Sequence, residues 1–168
     1  MTRLSKQLEK LAASGESVTV GIIGVGRMGR SIAIGSEKVD GVDVTAVADI
    51  RLDRARELFS ERGHDLASVV TASTVEEADA ALGDGEFVVT EDALLLPKTD
   101  QIDVVIAATG VPEIGAKVAT RAILNDTHVV MLTDETDAVV GPYLSSIAAQ
   151  SGVVYSGAAG DEPGAIME

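Results

Sequence analysis

The chain has 168 residues, of which 46% are hydrophobic, so it is long and apolar enough to fold as one domain with a sizeable core. It contains no cysteine, which excludes disulfides, thiolate metal sites and a cysteine nucleophile. Acidic residues outnumber basic ones by 27 to 13, and the formal net charge of −14 argues against a nucleic-acid or anionic membrane partner.

The composition also bears on where the protein works. Its acidic, aromatic-poor character is typical of a halophilic protein from a salt-rich cytoplasm, and an ordinary acidic soluble enzyme is the alternative. Residues 1–17 contain no apolar core of signal-peptide length, and no apolar run approaches the roughly 20 residues of a membrane span. We therefore expect a cytoplasmic protein.

The first half of the chain predicts alternating helices and strands. Leu4, Leu8 and Leu11 lie on one face of an amphipathic helix within residues 1–16, which covers part of the domain or contacts a partner chain. The next predicted elements are a strand at 18–23, a helix at 28–37, a strand at 42–48 and a helix at 52–62.

The second half continues the alternation. Thr74 and Glu77 have the spacing of a capping box at the start of a helix, whereas no element is predicted for 63–73. The other predicted elements are a strand at 87–90, a helical turn at 91–96 ended by Pro97, a strand at 102–108, a helix at 112–124, a strand at 127–132, a helix at 141–150 and a strand at 153–155. Six strands alternating with helices predict an α/β fold, a Rossmann-type, doubly wound, mostly parallel sheet in a single domain.

A glycine-rich turn is the sharpest functional signal. The segment Gly24-Val25-Gly26-Arg27-Met28-Gly29 lies between the first strand and the next helix, which is the context of a dinucleotide-binding turn. There Gly24 allows a tight turn, Gly26 lets the backbone approach a pyrophosphate, and Gly29 allows close helix packing. The helix N-terminus then offers free N–H groups to the phosphates, and the candidate cofactor contacts of this segment are Gly24, Gly26, Arg27, Met28 and Gly29.

Asp49 stands at the end of the second strand, twenty residues after Gly29. A carboxylate at this place accepts hydrogen bonds from the adenosine ribose and repels a 2′-phosphate, which favours NAD over NADP. Arg51 is a further candidate contact, because it can stack on adenine or pair with a 2′-phosphate. We therefore expect NAD or NADP as cofactor, with NAD favoured. The alternative for Asp49 is a solvated acid at a strand end.

Further candidates follow the later strands. Thr109 and Gly110 end the fourth predicted strand, where the backbone faces a bound dinucleotide in this fold; an ordinary turn is the alternative. Glu135, after the fifth strand, and Asp161 and Glu162, after the last, are candidate catalytic carboxylates or solvated loop acids. Neither histidine of the chain has a ligand partner at metal-binding spacing, so we predict no metal site and a structural role for both.

Several segments together resemble a known family. They are GIIGVGRMGRSIAIG, VADIRLDRA, IDVVIAATGVPEIGA, HVVML and GVVYSGAAGDEPGAIME. They are similar to the N-terminal half of homoserine dehydrogenase-like NAD(P)-binding oxidoreductases, nearest to predicted homoserine dehydrogenases with a C-terminal SAF domain. The same group includes a branch that resembles deoxyxylulose-phosphate reductoisomerases.

The resemblance implies a domain division. Residues 17–157 match the Rossmann domain, and residues 158–168 match the start of a substrate and oligomerisation region that we expect to continue in a longer protein. Homoserine dehydrogenases carry Asn-Lys after the fifth strand, where this chain has Thr133-Asp134, and the SAF-linked group carries an Asn followed by Val-Glu, of which Glu135 matches. Homoserine oxidation is therefore in doubt, whereas cofactor binding is not.

Two functions follow from these observations, besides the alternative of a deoxyxylulose-phosphate reductoisomerase-like enzyme that the resemblance implies. The leading one is the cofactor domain of an NAD(P)-dependent oxidoreductase that transfers hydride to or from a small polar alcohol or carbonyl substrate, inactive as this chain alone. The other is a stand-alone NAD(H)-binding sensor or regulatory module. Expected partners are the dinucleotide, a small polar substrate and possible further copies of the chain, with no nucleic acid and no membrane.

Overall fold

The computed structural model describes residues 3–157. Its helices are α1 (Arg3–Ala13), α2 (Arg27–Ser36), α3 (Leu52–Glu61), α4 (Val75–Gly83), α5 (Pro112–Ile123) and α6 (Asp134–Ser151). Its strands are β1 (Val18–Ile23), β2 (Val42–Ala48), β3 (Val69–Thr71), β4 (Phe87–Thr90), β5 (Val104–Ala107), β6 (His128–Met131) and β7 (Tyr155–Gly157).

All seven strands form one sheet, in the order β3-β4-β2-β1-β5-β6-β7. Every neighbouring pair is parallel. The chain builds outward from β1 through β2 on one side, then returns to place β5 on the other side of β1. The carboxyl ends of β1 and β5 therefore border the point where the strand order reverses, which is where open α/β sheets bind ligands.

Helices cover both faces of the sheet, as predicted for a doubly wound fold. One core cluster joins sheet residues to α2 and α3 through Ala33, Ala55, Leu58 and Phe59. The other joins the opposite face to α4, α5 and α6 through small and branched residues such as Ala119. Because both faces are buried, the strands are rich in Val, Ile and Ala and do not alternate with polar residues.

The amino-terminal helix α1 packs against the rest of its own domain. Gly41, just before β2, has φ +81°, and a Cβ there would collide with the backbone carbonyl of Leu8 in α1. The Val18 N–H donates to the Gly41 carbonyl at 2.9 Å. The helix therefore lies beside the amino ends of β1 and β2, at the edge of the sheet opposite the ligand-binding edge.

Strand number is the first difference from the sequence-based prediction, because the sheet has seven strands rather than six. The additional strand, β3, lies within residues 63–73, for which no element was predicted, and pairs with β4 at one edge. Three residues are too few to show a hydrophobic period, so only the pairing reveals this strand. At the other edge, β7 begins at Tyr155, two residues later than predicted.

The start of α6 is the second difference. The helix begins at Asp134 rather than Gly141, so residues 133–137 form its N-cap and first turn and are not a loop. Pro142 lies inside the helix, although it would be expected at a helix start. Acidic residues in the first turn suit the positive end of the helix dipole, and buried Thr136 and Leu144 anchor the helix on both sides of Pro142.

Candidate functional site

A cavity of about 730 Å³ lies at the carboxyl ends of β1, β2, β4 and β5. Its wall contains the glycine turn after β1, the end of β2, the segment after β4, and the β5–α5 turn. This is the edge at which the strand order reverses, so the topology alone places the cavity where a nucleotide site is expected. The volume falls within the usual range for small-molecule and cofactor pockets.

The three glycines of the turn after β1 differ in what requires them. Gly24 has φ +97°, and a Cβ there would lie 2.7 Å from the Ala108 carbonyl oxygen. A Cβ on Gly29 would overlap the Gly24 carbonyl, because α2 packs directly against the turn. Both positions are therefore restricted to glycine by the protein's own packing.

Gly26 is different. Its φ is −73°, which any residue adopts, and nothing in the described structure lies within 4 Å of a Cβ built on it. It is exposed and forms part of the cavity wall. The fold does not need glycine here, but a ligand that approaches the backbone closely does.

Helix α2 begins immediately after Gly26 and has no side-chain cap. By contrast, α4, which lies away from the cavity, has the predicted capping box: Thr74 accepts from the Glu77 N–H, and Glu77 accepts from the Thr74 N–H. An uncapped helix start leaves backbone N–H groups free to bind an anion. Helices α3, α5 and α6 also lack a side-chain cap. What distinguishes α2 is that its uncapped start follows Gly26 in the cavity wall.

Asp49 lies in the cavity wall at the end of β2. Its Oδ2 accepts a hydrogen bond from the Val25 N–H at 2.8 Å, and its Oδ1 accepts one from the Arg51 N–H at 2.9 Å. These two bonds fix the carboxylate beside the glycine turn. Carboxylate oxygens have further lone pairs, so Asp49 remains able to accept from a ligand hydroxyl.

Cations line the cavity on two sides. Arg51 and Arg54 project from the start of α3, and Lys117 lies on α5. Lys117 also pairs with Glu113 at 2.6 Å, and this hydrogen bond and charge lower the pKa of the Glu113 carboxyl. The wall carries as many carboxylates as cations, the former being Asp49, Glu91 and Asp92. The cavity wall is therefore close to neutral, whereas the chain as a whole is strongly acidic, so the wall repels an anionic ligand less than the rest of the surface does.

The β5–α5 turn forms the far wall of the cavity through Thr109, Gly110 and Val111. Gly110 has nothing within 4 Å of a built Cβ, so it too opens towards the cavity without being required by packing. The Thr109 hydroxyl accepts from the Val111 N–H at 3.1 Å. Behind the turn, the buried hydroxyl of Thr133 donates to the Thr109 carbonyl.

The structure brings together six of the predicted cofactor residues in the cavity wall: Gly24, Gly26, Asp49, Arg51, Thr109 and Gly110. Gly29 lies beneath the turn, and Arg27 and Met28 are exposed at the start of α2, outside the wall. Glu135 is exposed in the first turn of α6, also outside the wall. The other two candidate catalytic residues, Asp161 and Glu162, lie outside the described residues.

Part of the cavity wall was not predicted from the sequence. Arg54 stands three residues after Arg51, so helical spacing puts both on one face of α3. The segment 91–94 follows β4 and enters the cavity because the carboxyl end of β4 faces the same edge. The rule that was applied to the other strands would have identified this segment.

The histidines take part in packing contacts away from the cavity. The ring of His64 lies 4.1 Å from that of Phe87, centroid to centroid, and is partly buried in the segment between α3 and β3. Its Nε2 is buried without a hydrogen-bond partner, 3.7 Å from Glu37. His128 Nδ1 accepts from the Val154 N–H at 3.2 Å, which links β6 to the segment before β7.

A tyrosine–aspartate pair connects α6 to β7. The Tyr155 hydroxyl donates to Asp137 Oδ1 at 2.8 Å, and partial burial together with the Asp137 carboxylate raises the pKa of Tyr155 above its ordinary value. Within residues 3–157, no cluster of three or more His, Cys, Asp or Glu side chains is arranged to hold a metal ion. None of the described helices has the length and hydrophobicity needed to cross a membrane.

Comparison with known proteins gives matches by structure only. No protein-family model matches the chain, and no curated protein matches it by sequence. Solved structures do match, among them a probable dehydrogenase from Thermotoga maritima at 16% identity and a TM-score of 0.63, over 83% of this chain and 35% of that one.

Two further matches are crystallised with a dinucleotide. A 3-ketoreductase from Actinomadura kijaniata, in complex with TDP-benzene and NADP, matches at 22% identity and a TM-score of 0.62, over 84% of this chain and 38% of that one. A scyllo-inositol dehydrogenase from Lactobacillus casei, with bound NAD(H) and scyllo-inositol, matches at 16% identity and a TM-score of 0.57, over 84% and 36%. The likeness shows a shared fold, and the chain spans little more than a third of the length of each structure.

Proposed function

We propose that the chain is the NAD(P)-binding part of an oxidoreductase that acts on a small polar alcohol or carbonyl substrate. The observation that carries the proposal is Gly26, which lies in the wall of the cavity and which the fold itself does not require to be glycine. A bare backbone position at an uncapped helix start is what close approach of a pyrophosphate needs. The structural neighbours that were crystallised with NADP or NAD(H) support the same conclusion.

The residues of the cavity fit the parts of a dinucleotide. The N-terminus of α2 would receive the pyrophosphate beside Gly26, and Asp49 would accept hydrogen bonds from the adenosine ribose. The β5–α5 turn would hold the second nucleoside. When bound, the nicotinamide ring supplies hydride transfer, and the chain's own part is to orient that ring and to exclude water.

The proposal extends to the choice between NAD and NADP and to the class of substrate. The fixed carboxylate of Asp49 favours NAD, while Arg51 and Arg54 supply cations that suit a 2′-phosphate. The resemblance to homoserine dehydrogenases favours a small polar substrate. Because position 134 is Asp and not the catalytic Lys of those enzymes, the case for homoserine as that substrate is weaker.

A second candidate function is a dinucleotide sensor without chemistry. Among the candidate catalytic residues, Glu135 is the one within residues 3–157, and it lies outside the cavity wall. This position favours a sensor. A sensor needs binding but no turnover, so binding alone supports both functions and turnover by the whole protein distinguishes them.

The test is calorimetric titration of NADH and NADPH into the wild-type chain. We expect saturable binding of at least one of them with one site per chain. A matched pair of variants controls for folding. Gly26→Val adds a side chain at the cavity wall, while Gly35→Val makes the same change on the exposed side of α2, where a Cβ also meets nothing within 4 Å. Absence of binding by wild type to both nucleotides would contradict the proposal.

A further inference from the structure

We infer that Thr133 is a positioning residue, assisted by Thr136, that holds the β5–α5 turn in place for the nicotinamide half of a bound dinucleotide. This inference rests on the proposed function, since it requires a dinucleotide in the cavity. It assigns a role to two buried hydroxyls, one at the N-cap and one in the first turn of α6.

The contact made by Thr133 is unusual for its position. It is the N-cap of α6, where a threonine hydroxyl normally accepts from a backbone N–H of its own helix, yet it makes no such cap. Its side chain is 3% exposed, and its hydroxyl donates across to the carbonyl of Thr109. The hydroxyl therefore stabilises the neighbouring turn rather than its own helix.

Thr136 repeats this arrangement one helical turn later. It is 1% exposed, and its hydroxyl donates to the Pro112 carbonyl at 2.9 Å. A Cβ on Gly115 would lie 2.6 Å from the Thr136 hydroxyl oxygen, so α5 and α6 approach closely at this point. The N-cap and first turn of α6 thus hold both ends of residues 109–112.

The turn that these hydroxyls hold lies on the nicotinamide side of the cavity. In the sheet, β2 and β5 flank β1 on opposite sides. With the adenosine ribose at Asp49 after β2 and the pyrophosphate at Gly26 after β1, the second nucleoside must extend towards β5. There the cavity wall consists of Thr109, Gly110 and Val111.

Loss of the Thr133 hydroxyl should affect mainly the β5–α5 turn. Removing the Thr133 hydroxyl leaves the Thr109 carbonyl without that donor and allows the turn to move. A lost hydrogen bond of ordinary strength corresponds to about a fivefold change in affinity. The residues that would contact the adenosine half lie at the ends of β1 and β2, and neither Thr133 nor Thr136 donates a hydrogen bond to them.

The experiment compares two nucleotides by calorimetry. NADH engages both halves of the site, whereas ADP carries only the adenosine half and the pyrophosphate. For Thr133→Val we expect the Kd of NADH to rise about fivefold, with the Kd of ADP unchanged. Thr133→Ser, which keeps the hydroxyl, should bind NADH like wild type.

Thr99→Val is the matched control. Thr99 is also buried, and its hydroxyl also donates to a backbone carbonyl, that of Leu95 at 3.3 Å, but it lies outside the cavity wall. We expect no change in either affinity for this variant. Equal weakening of NADH and ADP by Thr133→Val, or no weakening of NADH, would overturn the inference.

A measurement on the wild type covers the case in which Thr133→Val fails to fold. Saturating NADH should slow backbone amide exchange at residues 109–111 and in the first turn of α6, and saturating ADP should not. Equal protection by both, or by neither, would overturn the inference. Wild type that binds neither nucleotide contradicts the proposed function itself, and with it this inference; binding without selectivity contradicts the inference alone.

Discussion

The Asp49 carboxylate accepts a hydrogen bond from the Val25 N–H at 2.8 Å, which joins the end of β2 to the glycine turn after β1. The acid that would contact the adenosine ribose is therefore also part of the support for the pyrophosphate-binding turn. A substitution at Asp49 should affect two contacts at once, and the choice of substitution can separate them.

We expect Asp49→Ala to weaken NADH binding and to reduce discrimination against NADPH. The variant loses the ribose acceptor and the acceptor for Val25, and it also loses the negative charge that repels a 2′-phosphate. Asp49→Asn keeps a side-chain oxygen as acceptor but removes the charge, so it should retain more NADH affinity than the alanine variant. Calorimetric titration of NADH and NADPH into all three proteins measures both effects.

The wild type itself tests the preference for NAD. If it binds NADPH tenfold or more tightly than NADH, a difference of about 1.4 kcal/mol, then Arg51 and Arg54 outweigh Asp49. In that case the expectation of an NAD preference is wrong, although the assignment of the cavity to a dinucleotide stands.

Substitutions at two glycines of the turn should have different effects, one on NADH affinity and the other on stability. Gly26→Val should lower NADH affinity by more than about tenfold, because its side chain enters the cavity, while the melting temperature stays close to that of wild type. Gly29→Val should destabilise the fold, because its Cβ overlaps the Gly24 carbonyl. Thermal unfolding and NADH titration together distinguish the two. Unchanged affinity in Gly26→Val would contradict the assignment of the turn.

We expect this chain alone to bind dinucleotide without oxidising homoserine. The position at which homoserine dehydrogenases carry their catalytic Lys is occupied by Asp134, and the structure places Glu135 outside the cavity wall. Absorbance of NADH at its nicotinamide band, followed after homoserine and NAD are mixed with the protein, measures the reaction. Steady NADH production above a protein-free control would refute the expectation.

The net charge predicts that salt stabilises the fold. With a formal charge of −14, acidic side chains repel one another across the surface, and this repulsion opposes the compact state at low ionic strength. The screening length falls from about 30 Å near 0.01 M salt to about 3 Å near 1 M. The melting temperature, followed by circular dichroism, should therefore rise as sodium chloride is increased over that range.

Sodium chloride is the suitable salt, because sulfate is more strongly excluded from protein surfaces and stabilises folds by that separate effect. The same screening should aid approach of the anionic dinucleotide. A melting temperature that stays flat or falls with sodium chloride would show that the acidic surface imposes no such repulsion. The salt-adapted interpretation of the composition would then be wrong.

The amino-acid sequence by itself determined the fold class and six of the residues that line the cavity. Val-, Ile- and Ala-rich runs at 18–23 and 42–48, each followed by a helix, encode parallel strands buried on both faces. The glycine spacing and Asp49 are recognisable because their requirements are local: a positive φ at Gly24, a missing Cβ at Gly29, and a strand end at Asp49.

Only the tertiary structure decided the remaining features, because they depend on contacts between distant segments. Three residues form β3 because β4 offers an edge to pair with, not because Val69–Thr71 carries a strand signal of its own. The helix start at Asp134 and the long-range bond from Thr133 to Thr109 likewise arise from packing of α6 against α5 and β5. Lys117 enters the cavity wall for the same reason, since side-chain placement across elements is set by how they pack and not by local spacing.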